Sequence, residues 1–126
     1  MLCLVHAFSG EAGTFHPSAN SSRCLDSTAP HDPPVRLVAC ADGKASQMWM
    51  FSSVTGQLSS TTTQPCIVKS HGTDCHFCLD ADREKGEGSI DLFDCKPQDS
   101  NQEWGFDVKD GAAPVTMGSQ CLAYGG

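Results

Sequence analysis

An internal duplication constrains this chain more than any other feature. "CLDSTAPHDPPVRLVACADGKASQMW" (24–49) and "CLDADREKGEGSIDLFDCKPQDSNQEW" (78–104) both begin Cys-Leu-Asp and both end Gln-x-Trp. Each carries a short apolar alternation that closes on a cysteine, "VRLVAC" (35–40) and "IDLFDC" (90–95). In both copies Gln follows that cysteine by seven residues and Trp by nine: Cys40, Gln47, Trp49 and Cys95, Gln102, Trp104. An aromatic comes two residues later (Phe51, Phe106), then a glycine (Gly56, Gly111), then a cysteine ten residues beyond it (Cys66, Cys121). So many matches in one register mark a repeated folding unit.

The local pattern within each unit is that of strands. VRLVA and IDLFD alternate with period two, as half-buried strands do, and "MWMF" and "EWGF" place an aromatic at every second residue. "HDPP", "ADGK", "EKGEG" and "KDG" carry turn chemistry. No long segment has helical period, and 12 Gly and 7 Pro favour short elements. The expectation is an all-β chain of about eleven short strands, forming one domain over 126 residues.

Eight cysteines in such a chain point to a disulfide framework and an oxidising, extracellular compartment. Asn20-Ser21-Ser22 is a glycosylation sequon, in keeping with secretion. "MLCLVHAFSG" has no basic leader and is not read as a signal peptide. A net charge of −7 repels phosphate backbones and anionic lipid, so neither nucleic acid nor membrane is an expected partner. No run of 18 apolar residues is present. Cys75-His76-Phe77-Cys78 has Cys-x-x-Cys spacing, but structural disulfides are the preferred reading over metal or redox chemistry. His6, His16, His31, His71 and His76 are scattered, with no metal-ligand spacing. Asp80, Asp82 and Glu84 lack the rest of a calcium loop and are read as a solvated acidic edge. No metal, no cofactor and no catalytic set are expected: no Ser, His and Asp trio and no acid–base carboxylate pair has a recognisable context.

The pattern Cys-Leu-Asp … Leu-x-x-Cys … Gln-x-Trp-x-Phe … Gly resembles the ricin B-type lectin (QxW) repeat, over residues 24–58 and 78–121. That resemblance implies a β-trefoil, or a partial trefoil, of disulfide-stapled repeats. The chain holds two QxW elements: repeat units at about 3–65 and 66–120, and the start of a third at 121–126. "CLVHAFSG" (3–10) resembles "CIVKSHG" (66–72) and "CLAYGG" (121–126), which would give the chain the same repeat phase at both ends. The units are long for the family, and the excess sits in "CIVKSHGTDCHF" (66–77). The family's repeat disulfide implies Cys24–Cys40 and Cys78–Cys95. Cys66 and Cys75 flank a short loop and could pair, which leaves Cys3 and Cys121 for a bond between the ends or to other chains.

The resemblance also implies a sugar-binding module, often for galactose or N-acetylgalactosamine. Such a site needs a carboxylate acceptor, amide donors and an aromatic platform for the pyranose face. In the second copy these fall on Asp80, on Asn101 and Gln102, and on Phe93, with Asp91 as a further acceptor. The first copy keeps Asp26 and Gln47 but has Val38 for the ring, Ser46 for the Asn and Arg36 at the position that is often Gln, and is read as degenerate. The structural role of the same residues weighs against this: Trp49 and Trp104 are core candidates, and Gln47 and Gln102 could equally satisfy buried backbone. The sequence reading is thus an extracellular lectin module for glycans or glycoproteins with one competent site. Its alternatives are a non-binding repeat subunit of a fibre or large assembly, and the lectin appendage of a glycosidase or glycosyltransferase.

Overall fold

The computed structural model describes residues 2–9, 12–17, 22–27, 36–81, 90–96, 98–105, 116–117, 120–121 and 123–124. They form antiparallel β-structure with no α-helix, in eleven strands among the described residues. These are β1 (Leu2–Ser9), β2 (Ala12–Pro17), β3 (Arg23–Asp26), β4 (Arg36–Ala39), β5 (Trp49–Phe51) and β6 (Leu58–Gln64). After them come β7 (Cys75–Ala81), β8 (Ile90–Asp94), β9 (Thr116–Met117), β10 (Gln120–Cys121) and β11 (Ala123–Tyr124). One sheet runs β11-β1-β2-β5-β6-β7-β8, and β3–β4 and β9–β10 are separate hairpins.

Alternation decides which face each strand buries. In β2 every second residue is buried, with Phe15 fully enclosed. In β7 and β8, Leu79 and Leu92 are register partners and both are wholly buried. Leu4, Phe15, Leu25, Trp49 and Leu58 join Phe77, Leu79, Leu92 and Trp104 in one apolar cluster. Both sequence copies thus feed a single core. The period breaks in β6, where the register to β7 shifts between Ser59 and Thr63. Buried Ser60 repairs the irregularity: its hydroxyl donates to Thr62 O at 2.8 Å and accepts from Phe77 N at 3.1 Å, while its carbonyl accepts from His76 Nδ1 at 2.8 Å. A buried hydroxyl with partners on both sides carries little desolvation cost.

The duplication is visible as two equivalent hairpins. In β3–β4, Leu25 faces Leu37 and Asp26 faces Arg36; in β7–β8, Leu79 faces Leu92 and Asp80 faces Asp91. Disulfides Cys24–Cys40 and Cys78–Cys95 close them, over separations of 16 and 17 residues. Each would stabilise by about 3 kcal/mol through loss of unfolded-state entropy. A 3-10 turn follows each hairpin, Ala45–Gln47 and Ser100–Gln102. The third disulfide joins Cys66 to Cys75. Cys75 and Cys78 therefore belong to different bonds, which removes the thiols of the Cys-x-x-Cys from redox or metal chemistry.

Two sequence expectations change. "CLVHAFSG" and "CIVKSHG" are not structural equivalents: the first is strand β1, the second a loop with a 3-10 turn at Lys69–His71. The amides of Ile67 and Val68 bond the Asp94 carboxylate instead of a neighbouring strand, so this loop cannot continue a ladder. Asp80 is not on a solvated edge but 7% exposed. Asp82, Glu84, Phe106, the Asn20 sequon and the side chains of Cys3 and Cys121 lie outside the described residues. Among the described residues no helix is long and apolar enough to cross a membrane.

Candidate functional site

The Gln-x-Trp element performs the same task in both copies. Trp49 Nε1 donates to Leu25 O at 3.1 Å and Trp104 Nε1 to Leu79 O at 2.9 Å, which lets each indole be buried with its N–H satisfied. Gln47 Nε2 donates to Asp26 Oδ2 at 3.2 Å and Ala39 O at 3.0 Å; its Oε1 accepts from Ala41 N at 2.9 Å. Gln102 Nε2 donates to Asp80 Oδ2 at 3.1 Å and Asp94 O at 3.0 Å; its Oε1 accepts from Lys96 N at 2.9 Å. The amide is therefore a clamp between the carboxylate of Cys-Leu-Asp on one strand and the backbone leaving the partner strand.

That geometry reassigns Gln102. It is 0% exposed and its side chain is engaged on every side within the protein, so it is not a group that meets a ligand. Its amide holds the Asp80 carboxylate instead. Gln47, 2% exposed, holds Asp26 in the same way.

Three of the remaining candidates of the second copy come together. Asp80 and Asp91 are direct register partners, and Phe93 is the partner of Cys78 two residues earlier, so all three stand on one face of the β7–β8 hairpin, opposite Leu79 and Leu92. Phe93 and Asp91 are half-buried. Asn101 is half-buried in the 3-10 turn that carries Gln102; among the described residues nothing bonds its side-chain amide. The turn is capped by Asp99, whose Oδ1 accepts from Asn101 N at 3.0 Å. Lys96 Nζ lies 3.2 Å from Asp99 Oδ2 and 5.3 Å from the Phe93 ring centroid, a cation–π contact on one side of the ring.

The first copy is chemically different at the same place. Lys44, which has no counterpart among the residues the sequence reading singled out, sits with Nζ 2.9 Å from Asp26 Oδ2. Its match in the second copy is Asp99. Val38 takes the place of Phe93 and offers no ring, and Arg36 is the register partner of Asp26. Comparison of the two copies letter by letter would have exposed Lys44.

Asp94 was also missed. It is 0% exposed and accepts from Ile67 N, Val68 N and His71 Nδ1, each at 2.8 Å. Burial pushes its pKa up, but the bonds from Val68, Ile67 and His71 outweigh burial, and the carboxyl is held below the usual 3.8. The sequence signal was its match to Ala39 in the first copy. The sulfurs of Cys66 and Cys75 lie near this carboxylate, but their disulfide leaves no thiolate to bind a metal there. Gln57 completes the set: its Nε2 donates to Gln102 Oε1 at 3.0 Å and to Lys96 O at 2.8 Å.

No family model, curated protein or solved structure matches the chain.

Proposed function

We propose that the chain is an extracellular carbohydrate-binding module, without catalysis, whose one competent site lies on the β7–β8 hairpin. The observation that carries this reading is the shared face of Asp80, Asp91 and Phe93, with Asp80 fixed by the buried Gln102 amide. Carboxylates that accept from vicinal hydroxyls, beside a ring that covers the apolar face of a pyranose, are the groups a neutral sugar requires. Asn101 supplies an amide at the neighbouring turn. Stacking on the face of Phe93 that Lys96 covers requires the lysine to swing aside, at a cost of about 0.5–1 kcal/mol. Galactose and N-acetylgalactosamine are the first ligands to try, because the QxW pattern resembles lectins of that preference. Three disulfides are typical of extracellular chains and accord with action outside the cell.

The test is titration of the chain with both sugars, followed by a glycan array. Asp80→Asn keeps an oxygen for Gln102 and removes the charge, so the fold should survive while affinity falls about tenfold or more. Asp26→Asn, in the first copy, should leave affinity unchanged. Absence of binding to every glycan, or wild-type affinity in Asp80→Asn, would reject the proposal.

A further inference from the structure

We infer that Gln57, which belongs to the first repeat, is a positioning residue for the site of the second; the inference rests on the sugar-binding reading above. A glutamine amide can be rotated by half a turn with almost no change in shape, so its orientation is set by what surrounds its oxygen and nitrogen. In the first copy, Ala41 N is the donor that meets Gln47 Oε1. In the second, Gln102 Oε1 receives two donors, Lys96 N at 2.9 Å and Gln57 Nε2 at 3.0 Å. Both lone pairs of that oxygen are thus occupied, and Nε2 is directed at Asp80 Oδ2. Donation to the oxygen also polarises the amide and strengthens the bond its N–H makes to the carboxylate.

Gln57 is itself fixed from three directions. Its second N–H donates to Lys96 O at 2.8 Å, its backbone carbonyl accepts from Ser52 N at 3.0 Å, and Thr55 Oγ1 accepts from its backbone N at 3.3 Å. Gly56 before it has φ 75°, and Gly56 O accepts from Trp104 N at 2.7 Å. A Cβ at Gly56 would come within 3.2 Å of Trp104 O. The β5–β6 turn of one repeat is therefore seated directly on the Gln-x-Trp element of the next. The relay Gln57, Gln102, Asp80 joins positions 45 and 22 residues apart and ends on the proposed ligand acceptor. The site is then a product of two repeats and not of one.

The experiment compares wild type with Gln57→Met, which keeps chain length and removes both donors. Gln57→Asn keeps donors without the reach and serves if the first variant does not fold. Thr61→Val is the control: it deletes the bond from Thr61 Oγ1 to Ala45 O, at the 3-10 turn of the other copy. Two quantities are read: affinity for galactose and for N-acetylgalactosamine by calorimetry, and solvent exchange of the Gln102 side-chain amide by NMR. Gln57→Met should weaken binding about fivefold and remove the protection of the Gln102 amide; Thr61→Val should change neither. Folded Gln57 variants with wild-type amide protection and affinity would overturn the inference. Should wild type bind neither sugar, the lectin reading fails on its own, and the amide exchange still decides for or against the positioning role.

Discussion

Gly43 and Gln98 stand at the same place in the two copies, three residues after the second cysteine of the hairpin, and both have left-handed backbone, with φ 72° and 66°. The turn demands that conformation, and glutamine accepts it against the contact between its Cβ and backbone. Gln98 is exposed. Gln98→Gly should therefore stabilise the chain by about 0.5–1 kcal/mol, measured as a higher urea midpoint at unchanged slope; a lower midpoint would show that the backbone term is not dominant. At this scale the sequence was read well where residue type alone fixes the role. Leucine, tryptophan and cysteine at matched positions became core and disulfides. It was read poorly where role depends on a partner. An amide beside a tryptophan is equally a ligand donor or a clamp, and only the partners of Gln102, Asp80 and Asp94 O among them, distinguish the two.

The Cys66–Cys75 loop is the element that separates the second repeat from the first, and Asp94 is what holds it. Its length was legible as excess sequence; its anchor was not, because the carboxylate acts 26 and 27 positions away from the amides it binds. The folded pKa of Asp94 is lowered from 3.8, so as pH falls the unfolded chain takes up this proton first. The stabilisation from Asp94 is accordingly complete above about pH 5 and is lost as pH falls through the folded value. Asp94→Ala should cost about 2–3 kcal/mol near neutrality, since Ile67 N and Val68 N lose their acceptor. The gap between the unfolding free energies of wild type and variant should then close on acidification. A gap that stays constant from pH 6 to pH 2 would mean that the carboxylate charge contributes nothing to holding the loop.

At the scale of the molecule, duplication in sequence does not mean independence in structure. Leu4, Phe15, Leu25, Trp49 and Leu58 pack in the same cluster as Phe77, Leu79, Leu92 and Trp104. Strand β6 of the first repeat pairs with β7 of the second, and the β5–β6 turn binds Trp104 N and Gln102 Oε1. A fragment of residues 66–126 would keep the Cys78–Cys95 and Cys66–Cys75 bonds but lose five of the nine buried core side chains. It would also expose the edge of β7 that β6 covers. Removal of a single large core side chain commonly costs about 2–5 kcal/mol, against a total stability of about 5–15 kcal/mol, so disulfides alone cannot retain the fold. The oxidised fragment should give a collapsed proton spectrum with exchange-labile amides, and addition of the complementary fragment 1–65 should restore dispersion. A dispersed spectrum from 66–126 alone would show that one copy suffices to fold and that the shared core is not required.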